Sequence, residues 1–290
     1  MKSFLAAWLF SCLLVAAAQT PPPPAPQNPS PTTESVRRHE RVPQAEVKGK
    51  RWTLSVGTLL LPESARVRDV MPLFIHFHGA PWLAEWSVAR RNRRAAVVTV
   101  NLGPGSGVYA RAFADPTRFV QLLQEAAQTL SPSRPVEFRP VVLSGFSAGY
   151  GAIREILRQR ANWDHIDATV LADGLHAGYL PDGQPGPINA ADLQPFLDFA
   201  REAVAGHKQM VFTHSEIFPG TFASTTETAN FLLEALHITA RPVLRWGPLG
   251  MQQISEARQG KLHILGFAGN TAPDHIDHFY ALQNWLKLVR

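Results

Sequence analysis

The sequence has 290 residues, 45% of them hydrophobic, which excludes disorder over most of the chain and gives enough apolar material for one or two domains with a full core. Lys and Arg number 28 against 23 Asp and Glu, a formal charge of only +5, so no nucleic-acid footprint follows from the charge. The one dense basic run, Arg90, Arg91, Arg93 and Arg94, reads as a solvated helix face.

The N-terminus reads as a targeting segment. Lys2 is followed by an apolar stretch from Phe4 to Val15 and by Ala16-Ala17-Ala18, the small-residue pattern of signal-peptidase sites. Residues 1–18 are therefore expected to be a signal peptide and the protein to be exported, periplasmic or secreted. The apolar run is shorter than the roughly 20 residues of a spanning helix, so no permanent membrane anchor is expected. The single cysteine, Cys12, lies in this segment. Cleavage would leave a chain whose core must suffice without disulfides. Pro21 to Pro24, Pro26, Pro29 and Pro31 then mark residues 19–46 as a flexible, extended tether. The folded domain is expected over 47–290, beginning near Val47, and no period of 20 to 50 residues repeats.

Along that domain Trp52 to Leu61 reads as a strand ended by Pro62, and Leu73 to His78 as a second stopped by Gly79. Ala95 to Val100 is a continuous apolar run like a buried parallel strand. Pro116 to Leu130 has helical spacing, with Phe119, Leu122, Leu123 and Ala126 on one face. Strands follow at Val141 to Leu143, Ala168 to Ala172, Met210 to Thr213 and Lys261 to Phe267. Helices are expected near Ala148 to Arg160, Leu193 to Ala205, Thr225 to Leu236 and Asp274 to Val289. This alternation predicts an α/β fold, a mostly parallel central sheet with helices on both faces. Such sheets carry their reactive residues just beyond the carboxyl ends of the strands.

At one such end stands Gly145-Phe146-Ser147-Ala148-Gly149, between an apolar strand and a helix. A tight strand-to-helix turn strains its middle residue and lifts the hydroxyl of Ser147 above the sheet edge. The flanking glycines are needed because side chains there would collide with neighbouring elements. The helix N-terminus behind the serine favours developing negative charge. At the end of an earlier strand stands His78-Gly79-Ala80-Pro81. Acyl transfer builds charge on a carbonyl oxygen, and fixed N–H groups must already point at it. The amides of Ala148 and Ala80 are the two candidates, since Pro81 has no N–H.

With these two motifs the sequence resembles the α/β-hydrolase superfamily, in element order from about Trp52 to Arg290. The resemblance implies that Ser147 attacks the substrate, that the loop at His78 to Pro81 supplies an oxyanion donor, and that an acid and then a histidine follow in the chain. His275 and His278 are the candidates for the base. His275 is favoured because it sits at a loop-to-helix junction, with Phe279, Leu282 and Leu286 spaced to anchor the helix. For the acid, which must hold the imidazole in one tautomer, Asp173 and Glu216 both end strands. The balance leans to Asp173, and Asp274 is expected to point away. The crowded Asp274, His275, Asp277 and His278 do not have zinc spacing, and no metal or cofactor is expected. Trp82, Trp86, Tyr109, Tyr150, His176 and Tyr179 are candidates for the pocket wall, of which Trp82, Tyr150 and His176 are the expected substrate contacts. The implied partner is a small-molecule or polymeric ester, cleaved through an acyl enzyme. Two rivals stand beside it, a peptidase or amidase and a binding protein that keeps the fold without the chemistry.

Overall fold

The computed structural model describes residues 37–289. The expected signal segment and the tether up to residue 36 lie outside the described residues. Ten strands form one sheet: β1 (Gly49–Thr53), β2 (Thr58–Pro62), β3 (Val70–Phe77), β4 (Ala96–Val100), β5 (Glu137–Phe146), β6 (Ala168–Ala172), β7 (Gln209–His214), β8 (Arg241–Trp246), β9 (Gln252–Gln259) and β10 (Leu262–Phe267). Their spatial order is β1-β2-β4-β3-β5-β6-β7-β10-β9-β8. From β4 to β10 the neighbours run parallel, and two antiparallel strands flank them on each side.

The parallel strands are apolar along their length because both faces are covered. Leu73, Ile75 and Phe77 of β3, Leu143 of β5 and Phe212 of β7 enter one core. That core is closed by α2 (Ser106–Ala112), α3 (Arg118–Leu130), α4 (Tyr150–Arg158), α5 (Ala190–Val204) and α6 (Thr225–Ala235). Phe74, Val97, Val142, Val170 and Val211 point the other way, against α1 (Pro81–Arg91), α7 (Ala272–Tyr280) and α8 (Leu282–Leu286). Among the described residues no helix is long and apolar enough to cross a membrane.

Four local expectations need correcting. The strand expected over Trp52 to Leu61 is a hairpin, β1 and β2, turning where Gly57 takes φ +84°; a side chain there would lie 2.4 Å from the Thr99 carbonyl. The helix expected from Asp274 to Val289 begins earlier, at Ala272, and breaks at Ala281 into α7 and α8. Strands β8 and β9 extend the sheet beyond the last expected core strand; β8 is exposed at five of six positions, so no apolar alternation marks it. Among the described residues no strand pairs with the outer side of β8, where Leu244 and Trp246 are exposed, next to Arg241 and Pro242. The basic run is a solvated face only in part. Arg91 donates to the carbonyls of Leu286 and Val289 and so closes the end of α8, while Arg93 and Arg94 are exposed.

Three histidines are packed into this framework: His76 on β3, His214 on β7 and His278 on α7. Burial pushes His76 down from 6.5 to about 3 and His214 and His278 each to about 4. A histidine depressed in the folded state binds its proton more readily when unfolded. Its contribution is therefore complete above about pH 6.5 and is lost as the pH falls toward 4. Denaturant titrations between pH 8 and 4.5 are expected to show constant stability above the upper value and a decline below it. The slope should approach about 1.4 kcal/mol per pH unit for each of the three.

Candidate active site

The carboxyl ends of β3, β5, β6, β7 and β10 open on one edge of the sheet. On the central strand, β5 runs through Phe146 into a single tight turn, Ser147–Gly149, which continues as α4. Ser147 sits at φ +46°, a left-handed conformation that costs a non-glycine residue on the order of 1 kcal/mol or more. The surroundings leave it no alternative. A Cβ on Gly149 would lie 2.2 Å from the Phe77 carbonyl oxygen, and one on Gly145 3.1 Å from Ile153. A third glycine, not recognised in the sequence, completes the fit: a Cβ on Gly174 would lie 2.6 Å from the Ser147 nitrogen and 2.8 Å from its carbonyl oxygen. The turn is thus wedged between the ends of β3 and β6. Behind the serine, Ala148 lies in the first helical turn, where N–H groups lack intrahelical acceptors and point outward.

On the next strand Asp173 follows β6, also at positive φ (+43°), and its N–H donates to the Thr213 carbonyl at 2.9 Å. Its carboxylate is 1% exposed yet fully satisfied. Oδ1 accepts from the Ser215 amide at 2.9 Å and the Thr225 hydroxyl at 2.6 Å. Oδ2 accepts from the Ser215 hydroxyl at 2.7 Å and from His275 Nδ1 at 2.7 Å. Burial by itself would raise this carboxyl. The imidazoles of His278 and His275 beside it, with the hydrogen bonds from His275 and Thr225, outweigh it and hold the group well below the usual carboxylate range. An ionised Asp173 fixes the proton of His275 on Nδ1 and leaves Nε2 as the basic nitrogen.

His275 lies in the first turn of α7 rather than at its junction with the loop. The helix starts at Ala272 because Thr271 and Asp274 form a capping box, each side chain bonding the other's amide. The imidazole packs on Phe146, ring centroids 4.5 Å apart, and Phe146 stacks in turn on Phe279 at 5.0 Å. One turn further, His278 is buried, its Nδ1 accepting from the Thr213 hydroxyl at 2.7 Å. That hydroxyl also accepts the Asp173 amide at 3.2 Å, so Thr213 of β7 links His278 to Asp173. Glu216, the other candidate acid, is exposed; it ties the loop after β7 to Gly269, accepting that amide at 3.2 Å while its own amide donates to the Gly269 carbonyl. Its carboxylate bonds to this loop, while that of Asp173 bonds to His275.

The loop of Ala80 leaves β3 through His78 at φ +70° and Gly79 at φ +99°. Three contacts hold it. His76 Nε2 donates to the His78 carbonyl at 2.8 Å, its Nδ1 accepting from Ser144 at 2.9 Å. The His76 ring stacks on Phe279 at 5.1 Å, and Phe279 also fills the space where a Gly79 side chain would go. The His78 amide donates to the Val100 carbonyl.

The expected pocket residues separate into two kinds. Tyr109 and Tyr179 are buried and spend their hydroxyls inside the protein, Tyr109 with His78 and the Leu102 amide, Tyr179 on Glu227. Tyr150 is buried as well and donates to the Ser106 hydroxyl at 3.0 Å. His176 packs edge-on to Tyr150 and to Phe222 and donates from Nδ1 to the Ala223 carbonyl; burial lowers its pKa. Phe222 is exposed, so this pair offers an aromatic surface at the site. Trp82 is half-buried, edge-on to Tyr280, and Trp86 lies beneath Arg90.

Sequence reasoning missed Ser215, Thr225 and Thr213, the residues that hydrogen-bond Asp173. One signal was present: Ser224 to Glu227 is a capping box at the start of α6, and it carries Thr225 in its first turn. Among the described residues the one cluster of metal-type ligands is His39, Asp274 and Asp277. The guanidinium groups of Arg37 and Arg41 lie against its carboxylates.

No protein-family model and no curated protein matches the sequence. Among solved structures the chain is similar to carboxyl esterase 2 from the mycorrhizal fungus Tuber melanosporum, with 15% identity and a TM-score of 0.46 over 87% of this chain and 90% of that one. It is similar also to a variant of the feruloyl esterase module from Clostridium thermocellum, complexed with sinapinate, at 14% identity and 0.44 over 90% and 93%. A third is the enterobactin esterase from Shigella flexneri, at 14% identity and 0.49, over 86% of this chain and 60% of that one. The chain's own topology is a mostly parallel sheet with helices on both faces and a sharp turn at Ser147 between its central strand and the following helix.

The wedge at the elbow can be tested by Gly174→Ala, with Gly178→Ala as control because a Cβ at Gly178 meets its nearest atom at an ordinary 3.5 Å. The first variant is expected to lower the melting temperature by about 5 °C or more and to reduce the reactivity of Ser147 at least about tenfold. The control should match the parent in both thermal melts and labelling with a serine-reactive probe.

Proposed function

We propose that the protein is an exported serine hydrolase that cleaves a carboxylic ester through an acyl enzyme, with Ser147 as nucleophile, His275 as general base and Asp173 as the acid that orients it. The observation that carries this reading is the 2.7 Å bond from His275 Nδ1 to a buried, ionised Asp173 at the same sheet edge as the strained Ser147. His275 Nε2 takes the serine proton as Oγ bonds to the ester carbonyl carbon, and the carbonyl electron pair moves onto oxygen. The amides of Ala80 and Ala148 hold that oxyanion, each such donor contributing about 3 kcal/mol to the barrier. Collapse breaks the bond to the alcohol, which leaves with the proton from His275. Water then repeats the sequence, and the acid product and free Ser147 are released.

Trp82, His176 and Phe222 form the proposed substrate surface, with the buried Tyr150 packed behind His176, and the reaction needs no added cofactor. The expected signal segment and proline-rich tether support a location outside the cytoplasm, with a small-molecule or polymeric ester as substrate. An ester is favoured over an amide on chemical ground, since its leaving group departs more easily.

A fluorophosphonate probe is expected to add once, at Ser147, with no adduct on Ser147→Ala; an unlabelled parent chain would favour the binding-protein alternative. The acid is tested by a pair of variants on an ester substrate. Asp173→Asn should cut kcat by about four orders of magnitude, as loss of the correct tautomer does, whereas Glu216→Gln should remain within about threefold. The reverse ranking would remove Asp173 from the triad.

A further inference from the structure

The helix that carries His275 presents two carboxylates away from the sheet, and they are not solvated. Asp274 and Asp277 flank the histidine, are 2% and 0% exposed, and are covered by the segment that leads into β1. Arg37 pairs with both: one nitrogen bonds Asp274 Oδ1 and the other lies 2.5 Å from Asp277 Oδ2. Arg41 bonds Asp277 Oδ1, donates to the Pro273 carbonyl at 3.1 Å and lies over the Tyr280 ring at 4.8 Å. His39 Nδ1 adds a contact to Asp277 Oδ2 at 2.9 Å. Residues 37–41, expected to be tether, are therefore joined to α7 at Pro273, Asp274, Asp277 and Tyr280, across more than 230 positions of sequence.

Two buried carboxylates on a nine-residue helix need counter-charge, and α7 has no lysine or arginine of its own. The capping box occupies Asp274 Oδ2, which leaves Oδ1 for Arg37. Behind Asp274 there is no slack, since Gly269, at φ +131°, leaves room for no side chain against its carboxyl group. The other face of α7 bears His275, whose partner Asp173 is fixed by three further donors on the body of the fold. The helix position is thus set from both sides, and any shift that hydrates Asp274 and Asp277 moves His275 relative to Asp173 and Ser147.

We propose that residues 37–41 form a clasp in which Arg37 and Arg41 are positioning residues for His275, so that the catalytic arrangement is complete only when this N-terminal segment is docked on α7. The inference rests on the triad assignment above. It gives a segment inside the expected tether a part in the chemistry, although it touches neither substrate nor reacting atoms. A protease that cuts between this segment and β1 would weaken the enzyme without entering its active site.

The test uses the full chain with Arg37→Gln/Arg41→Gln, and Arg37→Lys/Arg41→Lys as the conservative pair. Two readouts are followed: the inactivation rate and half-saturation of a fluorophosphonate, and amide hydrogen exchange over residues 271–281. The glutamine pair is expected to slow maximal inactivation about tenfold with half-saturation within about twofold, and to raise exchange in 271–281 while β3, β5 and β6 stay protected. The lysine pair should recover most of the rate because it restores charge. Should the glutamine pair not fold, Arg37→Gln alone is read in the same way. Unchanged exchange, or raised exchange with an unchanged rate, overturns the clasp while a labelled parent leaves the hydrolase reading standing. A parent chain that does not label overturns that reading, and the clasp with it.

Discussion

The structure turns on one buried carboxylate. Asp173 is removed from water, and an ion in that position is tolerated only if its lone pairs are met by donors. Ser215 gives two, Thr225 one and His275 one, from the loop after β7, the start of α6 and the first turn of α7. A single charge thereby fixes the relative placement of the loop after β7, the start of α6 and, some fifty residues on, the first turn of α7. The requirement also runs in reverse: the elements must be where they are for the carboxylate to remain ionised, and an ionised carboxylate is what the proposed base, His275, requires. Burial and charge, which usually oppose each other, are here made to depend on the same four bonds.

Backbone strain gathers at the same edge. His78, Ser147 and Asp173 end β3, β5 and β6, three adjacent strands, and all take the left-handed conformation without being glycine. Each costs on the order of 1–3 kcal/mol, and such conformations persist where packing over-determines them. The packing here can be named. The Phe77 carbonyl excludes any side chain at Gly149, the Ser147 backbone excludes one at Gly174, and Phe279 excludes one at Gly79. The parallel strands below therefore hold these loops in one arrangement, the pre-organised state that the proposed hydrolysis requires.

Much of this was legible in the sequence for a physical reason: strands buried on both faces must be continuously apolar, and a sharp strand-to-helix turn must carry glycines at fixed offsets. The elbow at Ser147 and the alternation of strands and helices follow from those two constraints. The hairpin at Gly57 was read as one strand, because within Trp52 to Leu61 only Ser55 and Gly57 interrupt the β-forming residues and the turn they make is short. Nor was β8, whose exposed edge position removes any periodic signal. The choice between Asp173 and Glu216 depends on which strand end faces α7, and the donors to Asp173 come from three separate places in the chain. The pairing of Arg37 and Arg41 with Asp274 and Asp277 leaves no local trace at all, since ionic partners need no common spacing.

The free edge of β8 has a consequence of its own. Open strand edges are templates on which other chains can add, and exposed Leu244 and Trp246 would reward such an addition. Pro242 interrupts the row of amide donors, and Arg241 and Arg245 place charge along it, both tied back to Glu256 on β9. The same side chains that fasten the last strand to its sheet thus insulate it from polymerisation. A chain crowded against its own copies would meet a border it can touch but not extend.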